Sequence, residues 1–380
     1  MHIPFSSSAT SSLGIEWEIQ LVDRDTRQLR GAATVILDEY QNKIGKDVEP
    51  RAKHELFEST IEVITGVCDT VAGAKADLSS TLGLLRDLAE PRGLALMCSG
   101  THPFTGYDTQ QLSPDPRYHS LLDRMQWIAR RMLIFGVHVH VGVRSQDKAI
   151  PVVNALATYI PHFLALSSSS PYWLGMDTGL ASSRSKVFEG LPTAGLPYLL
   201  SDWAQFEQFM AALVSSGTVE SIRDVWWDIR PHPNFGTVEL RICDGLPTLL
   251  EVGAIAALTQ CLVDRMNTQI DRGYTLPTPQ RWAVQENKWR AARYGLDAEI
   301  MVDEQGTTHC VRNEIADLVD ELLPVARRLE CADELTDVLH ILDVGSSCER
   351  QRAVARRADG DLAAVVDTLL QEMESRRPTL

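Results

Sequence analysis

The chain has 380 residues, 44% of them hydrophobic, with 36 lysines and arginines against 51 aspartates and glutamates, a net charge of −15. That apolar fraction supports an extensive core and excludes a disordered chain. The acidic balance excludes general binding to nucleic acid or anionic membrane, where Lys and Arg must neutralise phosphate. The seven cysteines (Cys68, Cys98, Cys243, Cys261, Cys310, Cys331 and Cys348) are scattered with no C-x-x-C pair, so neither a disulfide framework nor a zinc knuckle is expected. They read as reduced thiols of a cytoplasmic protein.

Residues 1–12 carry no basic leader or apolar stretch and are expected as a flexible Ser/Thr-rich tail. From Gly14 the text GIEWEIQLV alternates: Ile15, Trp17, Ile19 and Leu21 point one way, Glu16, Glu18 and Gln20 the other. ELFESTIEV repeats this with Glu58, Thr60 and Glu62 on one face. Helices are predicted over Val71–Glu90 and Pro116–Phe135. FGVHVHVGV then sets Val137, Val139, Val141 and Val143 opposite His138 and His140. A helix over Lys148–Ser168 leads into Pro171–Ser201, rich in Gly, Pro and Ser and too long for an ordinary connection. After a helix over Trp203–Val214, DIRP puts Asp228 and Arg230 on one side, and TVELRICD opposes Glu239 and Arg241 to Val238, Leu240 and Ile242.

Helices over Leu249–Asp271 and Pro279–Tyr294 follow. Beyond Glu314 the text is helical throughout, in segments near Glu314–Arg328, Ala332–Leu342 and Glu349–Arg376. The most apolar stretch, Val252–Val263, is too short to cross a bilayer. The organisation expected is the tail 1–12, one body over 13–312, and a helical C-terminal segment over 313–380 packed on that body. The fold class is α+β: a largely antiparallel sheet with helices on one face and carboxylates, imidazoles and guanidiniums on the other.

That polar face is either open to water or holds metal. Glu16 and Glu18 stand about 7 Å apart along their strand. Further carboxylates from neighbouring strands would each be costly to desolvate without a cation. Carboxylates with an imidazole suit a hard divalent ion, Mg²⁺ or Mn²⁺, better than a structural zinc. Arginines beside such a site cradle nucleoside triphosphates. Signatures of P-loop, Rossmann and serine-hydrolase sites and of H-E-x-x-H zinc sites are missing from the sequence.

GIEWEIQLVD, HELFESTIEVIT, FGVHVHVGV, DTGLASSRS, WWDIRPHPNFGTVELRICD and ENKWRAARYGLDA, in this order, resemble the type 2 glutamate–cysteine ligase family of carboxylate–amine ligases, from about Leu13 to Asp297. The resemblance implies a glutamine synthetase-like fold for 13–312, a curved sheet whose concave face binds Mg²⁺ and ATP, and ATP-dependent amide formation through an acyl phosphate. It implies metal ligation by Glu16, Glu18, Glu62, His138 and Glu239. His140, Arg230 and Arg241 are implied near the ATP phosphates or the acyl phosphate, the two arginines as catalytic groups. Arg184 and Arg290 are implied at phosphate or substrate carboxylate. Partners would be small amino acids, and a homodimer is one assembly that relatives of this fold often form. Glu-Trp-Glu stands where many relatives have Glu-Glu-Glu, and Trp17, on the apolar face, leaves the metal set untouched.

Two other readings stand beside this one. His138-x-His140 is similar to the histidine pair of metal-dependent amidohydrolases, and a ligase fold can persist as a catalytically silent ATP-binding protein. Glu55 and Glu58 extend the metal shell or serve structure. Pro171–Ser201, with Arg184 at its centre, is expected as a lid over the site, the alternative being a segment packed permanently on the sheet edge or at a subunit interface.

Overall fold

The computed structural model describes residues 1–379. In chain order it runs β1 (Leu13–Asp23), α1 (Ala33–Ile44), β2 (Ala52–His54), β3 (Thr60–Ile64), α2 (Val71–Ala89), β4 (Leu94–Met97), α3 (Pro116–Met125), α4 (Trp127–Arg130), β5 (Val137–Gly142), α5 (Gln146–Leu156) and α6 (Ile160–Ser167). There follow the hairpin β6 (Tyr172–Trp173) and β7 (Met176–Asp177), α7 (Ser183–Phe188), α8 (Trp203–Ser215), β8 (Ile229–His232), β9 (Thr237–Leu240), α9 (Leu249–Asp271) and α10 (Arg281–Tyr294). A second hairpin, β10 (Glu299–Met301) and β11 (Thr308–Cys310), leads to α11 (Val311–Arg328), α12 (Ala332–Val344), α13 (Ser347–Arg357) and α14 (Leu362–Ser375).

The main sheet has seven strands in the order β2-β3-β1-β5-β9-β8, with β4 paired to the far half of β1, and its pairings are antiparallel. Alternation settles which side is dry. Ile15, Trp17, Ile19, Ile61, Val63, Val137, Val139, Val141, Val238 and Leu240 are buried against α2, α5 and α9. Each large side chain taken out of water there contributes about 1.5–3 kcal/mol. Trp17 also donates its indole N–H to the Leu246 carbonyl at 3.1 Å. The carboxylates therefore emerge on the opposite face.

α9 is the central helix, and Thr248 caps it by accepting from the Glu251 amide. α11 and α12 pack on α9. Buried Arg350 of α13 bonds Glu251 of α9 at 2.8 Å and Glu372 of α14 at 2.8 Å, so the C-terminal helices clasp the core through one guanidinium. Removing one partner of such a group leaves a buried charge uncompensated.

Several elements differ from the sequence expectation. The 116–135 helix breaks at Gln126, whose φ of 50° lies in the left-handed region. α1 escaped the sequence reading although Ala33, Ile36, Leu37 and Tyr40 hold helical spacing on its buried side. The stretch long and apolar enough to span a bilayer is Gln146–Ser167, not Val252–Val263, and 78% of its apolar window is buried in the protein.

The first twelve residues lie against the fold rather than free of it. Ile3 is buried, its amide donates to Glu207, Phe5 meets Trp203 edge-on, and the Ser6 amide donates to Pro233. Gly142 and Gly236 permit this approach, since a Cβ on either would stand 2.2 Å from Ala9 O or 2.0 Å from Ser6 O.

Candidate active site

Strand register builds the site. Glu18 pairs with Glu62 across β1–β3, Glu16 with His138 across β1–β5, His140 with Glu239 across β5–β9, and Glu239 with Arg230 across β9–β8. Residues directly opposite in antiparallel strands hold their Cβ atoms about 4.5–5.5 Å apart. The polar face thus becomes one continuous row of acids, imidazoles and guanidiniums. Above it lies a cavity of 670 Å³ whose floor includes Glu16, Glu18, Glu62, His138, Arg230 and Arg241.

Two groups of three residues place their ligand atoms within 4.8 Å of one another: Glu16, Glu62 and His138, and Glu16, His140 and Glu239. Glu16 belongs to both. His138 Nδ1 stands 3.1 Å from Glu16 Oε2 and its Nε2 4.0 Å from Glu18 Oε1. His140 Nδ1 meets Thr237 Oγ1 at 3.0 Å, while its Nε2 makes no hydrogen bond and faces Glu16 Oε1 at 3.5 Å and Glu239 Oε1 at 3.8 Å. An imidazole fixed through one nitrogen with the other orphaned among carboxylates is what a metal ligand requires.

Charge balance points the same way. Burial, then the Glu55 charge, raises the Glu18 carboxyl to about 8, and burial together with the Glu16 charge holds Glu62 well above the usual range. Burial also opposes ionisation of Glu16, but the hydrogen bond from His138 and the nearby His140 imidazole prevail and bring it well below. Burial, then the Arg241 charge, lowers His138 to about 4, so it stands neutral with a lone pair to offer. Clustered carboxylates short of counter-charge, with a neutral imidazole and an orphaned nitrogen, fit a hard divalent cation. Lys53, 2.8 Å from Glu62, supplies part of the missing charge.

The arginines divide. Arg230 Nε donates to Glu239 Oε2 at 2.6 Å and its Nη1 to the Ile222 and Val225 carbonyls at 3.0 Å each, so most of its fork is spent inside the protein. Arg241 bonds Glu239 through Nη1 but keeps a buried Nε–H without a partner. Arg184, 3% exposed, also lines the cavity with an unpartnered Nε. Arg290 is not part of the site: it bonds Glu286 and the Glu299 carbonyl on the outside of α10. It lies about 200° around that helix from buried Lys288, which turns inward to Asp228 at 2.6 Å and Glu189 at 2.7 Å.

Other sequence expectations resolve individually. Glu55 lines the cavity and accepts from the Tyr118 hydroxyl at 2.8 Å, whereas Glu58 accepts from the Thr34 amide at 3.0 Å and caps α1. Trp226 reaches the cavity and Trp227 sits in the core. Burial pushes the Cys243 thiol up to about 12, which removes it as a nucleophile. The antiparallel sheet lacks the βα repetition of an amidohydrolase barrel, so the His138–His140 pair belongs to a different architecture.

The base of the long loop is packed. Ser182–Ser185 are buried, the Ser182 amide bonds the Ala292 carbonyl at 3.0 Å, and Ser170 and Ser182 form a parallel bridge. Lys53, Tyr118, Asp244 and Lys288 escaped the sequence reading. Lys53 alone left a signal there, its place beside the acidic strand.

Residues 12–368 match the family described as Glutamate-cysteine ligase family 2 (GCS2). The chain belongs to glutamate–cysteine ligase family 2. It is 70% identical over 380 residues, the full length of both chains, to a Frankia alni protein named "Putative glutamate--cysteine ligase 2-1". It is 53% identical over 380 residues to a Thermobifida fusca relative, covering 100% of this chain and 95% of the other. Among solved structures it is similar to the glutamate–cysteine ligase of Francisella tularensis in complex with AMP, TM-score 0.72 at 13% identity, covering 99% of this chain and 91% of that one. It also resembles a bifunctional glutathione synthetase from Pasteurella multocida, TM-score 0.70 at 14% identity, covering 96% of this chain and 52% of that longer one. The glutamine synthetase-like fold is shared with these ligases, and this family member is an ATP-dependent carboxylate–amine ligase.

Proposed function

We propose that this ligase joins the γ-carboxylate of glutamate to the amine of cysteine, with ATP activating the acid as an acyl phosphate over the acidic row of the sheet. The supporting observation is that row itself: two overlapping ligand triads along the sheet, with Glu16, Glu62 and His138 on the cavity floor beside two guanidiniums with unspent N–H groups. Glu16, Glu62, His138, His140 and Glu239, with Glu18 beside them, would hold Mg²⁺ or Mn²⁺. A bound divalent ion supplies charge neutralisation for the triphosphate.

This chain's own groups position and stabilise. The acid's carboxylate oxygen takes the γ-phosphoryl group of ATP and ADP leaves, and the amine then attacks the activated carbonyl, forming the amide as phosphate departs with the amine's proton. Arg241 and Arg184 direct N–H donors at the charge that develops on the transferred group. Arg230 acts one step back, fixing Glu239. No protein nucleophile is needed, because positioning and electrostatics carry the reaction. Seven free cysteines, five of them buried, support the cytoplasmic reading.

Purified protein incubated with ATP, Mg²⁺, glutamate and cysteine should release phosphate only when acid and amine are both present, with stoichiometric amide. No phosphate release with any acid and amine pair would favour a silent ATP-binding protein. Amide hydrolysis without ATP would favour the hydrolase.

A further inference from the structure

Asp244 lies outside the acidic row, fully buried, just past β9. Its carboxylate accepts from the Ser169 amide at 3.0 Å, the Ser170 hydroxyl at 2.7 Å and the Ser182 hydroxyl at 2.8 Å. Ser170 and Ser182 are the two feet of the 171–181 excursion. Ser182 also caps α7 by accepting from the Ser185 amide, and the Arg184 amide donates to Ser170 Oγ at 3.0 Å. One carboxylate therefore fixes the backbone from which Arg184 projects. It also stands 4.0 Å from Arg184 Nη1, near enough to favour the guanidinium's place without consuming its donors.

The remaining restraints on Arg184 come from backbone. Its Nη1 donates to the Ile242 carbonyl at 3.1 Å and its Nη2 to the Arg241 carbonyl at 3.4 Å. Two glycines make room: a Cβ on Gly136 would stand 2.3 Å from Arg184 Nη2, and one on Gly100 would stand 2.7 Å from the Asp244 carboxyl. These two bonds use two of the five N–H groups, and the Nε–H in particular has no partner in a side chain 3% exposed that lines the cavity, as the Nε–H of Arg241, just past β9, has none. A buried donor without an acceptor costs free energy, and an incoming anion removes that cost.

We propose that Asp244 is a positioning residue, holding Arg184 through the Ser169–Ser170 and Ser182 cradle so that the Arg184 and Arg241 guanidiniums, both lining the cavity, form a seat for a phosphoryl group. The choice of phosphoryl as occupant rests on the ligase reading above. The seat is rigid: it is built before ligand arrives, so the long loop contributes a fixed arginine rather than a closing flap.

The test uses the full chain with Mg²⁺ and inorganic pyrophosphate as probe, read by calorimetry, alongside phosphate release with ATP, glutamate and cysteine. Arg184→Ala should weaken pyrophosphate binding at least tenfold, and millimolar guanidinium should restore most of it. Asp244→Asn should weaken it to a similar degree. The Arg184→Ala/Asp244→Asn pair should show no rescue by guanidinium, because nothing then orients the added cation. A residue that merely stabilises the fold would leave rescue intact.

If Asp244→Asn does not fold, Ser170→Ala/Ser182→Ala combined with Arg184→Ala decides, since it removes two of the three donors and keeps the buried carboxylate. Equal rescue with and without an intact cradle, or native pyrophosphate affinity in Asp244→Asn, overturns the proposal. Wild-type protein that binds pyrophosphate in this pattern but releases no phosphate with any acid and amine would overturn the ligase reading and leave the cradle standing.

Discussion

Arg230 and Glu239 face each other across β8 and β9, and the guanidinium commits its Nε to the carboxylate at 2.6 Å while its Nη1 anchors to the Ile222 and Val225 carbonyls. Glu239 is held well below the usual carboxyl range, since Arg230 and Arg241 together outweigh its burial. Arg230→Lys keeps the charge but cannot reach the carboxylate and both carbonyls. It should cost about 2–4 kcal/mol of stability as well as turnover. Arg241→Lys should lose turnover with less than about 1 kcal/mol of stability. Urea denaturation beside phosphate-release kinetics separates the two, and equal stability losses would contradict this division of labour.

Glu16 is the ligand common to both triads, whereas Glu62 and His140 each belong to one. Counting bound Mn²⁺ by calorimetry should give two ions for the wild type, one for Glu62→Gln or His140→Ala, and none bound tightly by Glu16→Gln. Two tight ions in either single-site variant would disprove the grouping. Glu62→Gln should remain folded, because burial and the Glu16 charge hold its carboxyl well above the usual range and neutralising it relieves the apoprotein.

Gly136→Ala tests the place of Arg184 directly. The new methyl would stand 2.3 Å from Arg184 Nη2, so the buried guanidinium must give up its carbonyl partners and stability should fall by about 1–3 kcal/mol. Arg184 then loses its place beside His138, and turnover should fall at least tenfold. A fully active alanine variant would mean that Arg184 need not stand there.

Glu58→Gln is the converse case. Glu58 accepts from the Thr34 amide at 3.0 Å at the start of α1 and is not among the cavity residues. Losing this cap's charge should cost about 1 kcal/mol of stability and leave KM and kcat unchanged. A change in metal affinity would return Glu58 to the metal shell.

His102 gives the protein a pH signature unrelated to catalysis. Its Nδ1 accepts from the Thr105 amide at 3.0 Å, its Nε2 meets the Arg27 carbonyl at 2.9 Å, and burial lowers it to about 3. The unfolded chain binds this proton at about 6.5, so between those values the unfolded state carries more protons and stability falls as pH falls. The loss from this one group should reach about 2 kcal/mol by pH 5. His102→Asn, whose side-chain oxygen can still accept from Thr105, should flatten the stability profile between pH 7 and 5, as read from urea midpoints. An unchanged slope would show that His102 is protonated in the folded state.

The sequence by itself determined which residues share a face. Glu16 and Glu18, Glu62, His138 and His140, and Glu239 fall on one side of their strands because side chains alternate with period two, a property of each strand alone. Six ordered motifs also sufficed to reach the family. Register, by contrast, only the tertiary structure decided. That Glu18 stands opposite Glu62, Glu16 opposite His138 and His140 opposite Glu239 depends on pairing between segments 44 to 122 residues apart in the chain. The same long-range packing committed Arg230 to Glu239, turned Arg290 outward and Lys288 inward, and gathered Asp244 with three serines beneath Arg184. Parity is written locally in every strand, whereas the partner of a buried donor is fixed only when distant segments come within about 3 Å of each other.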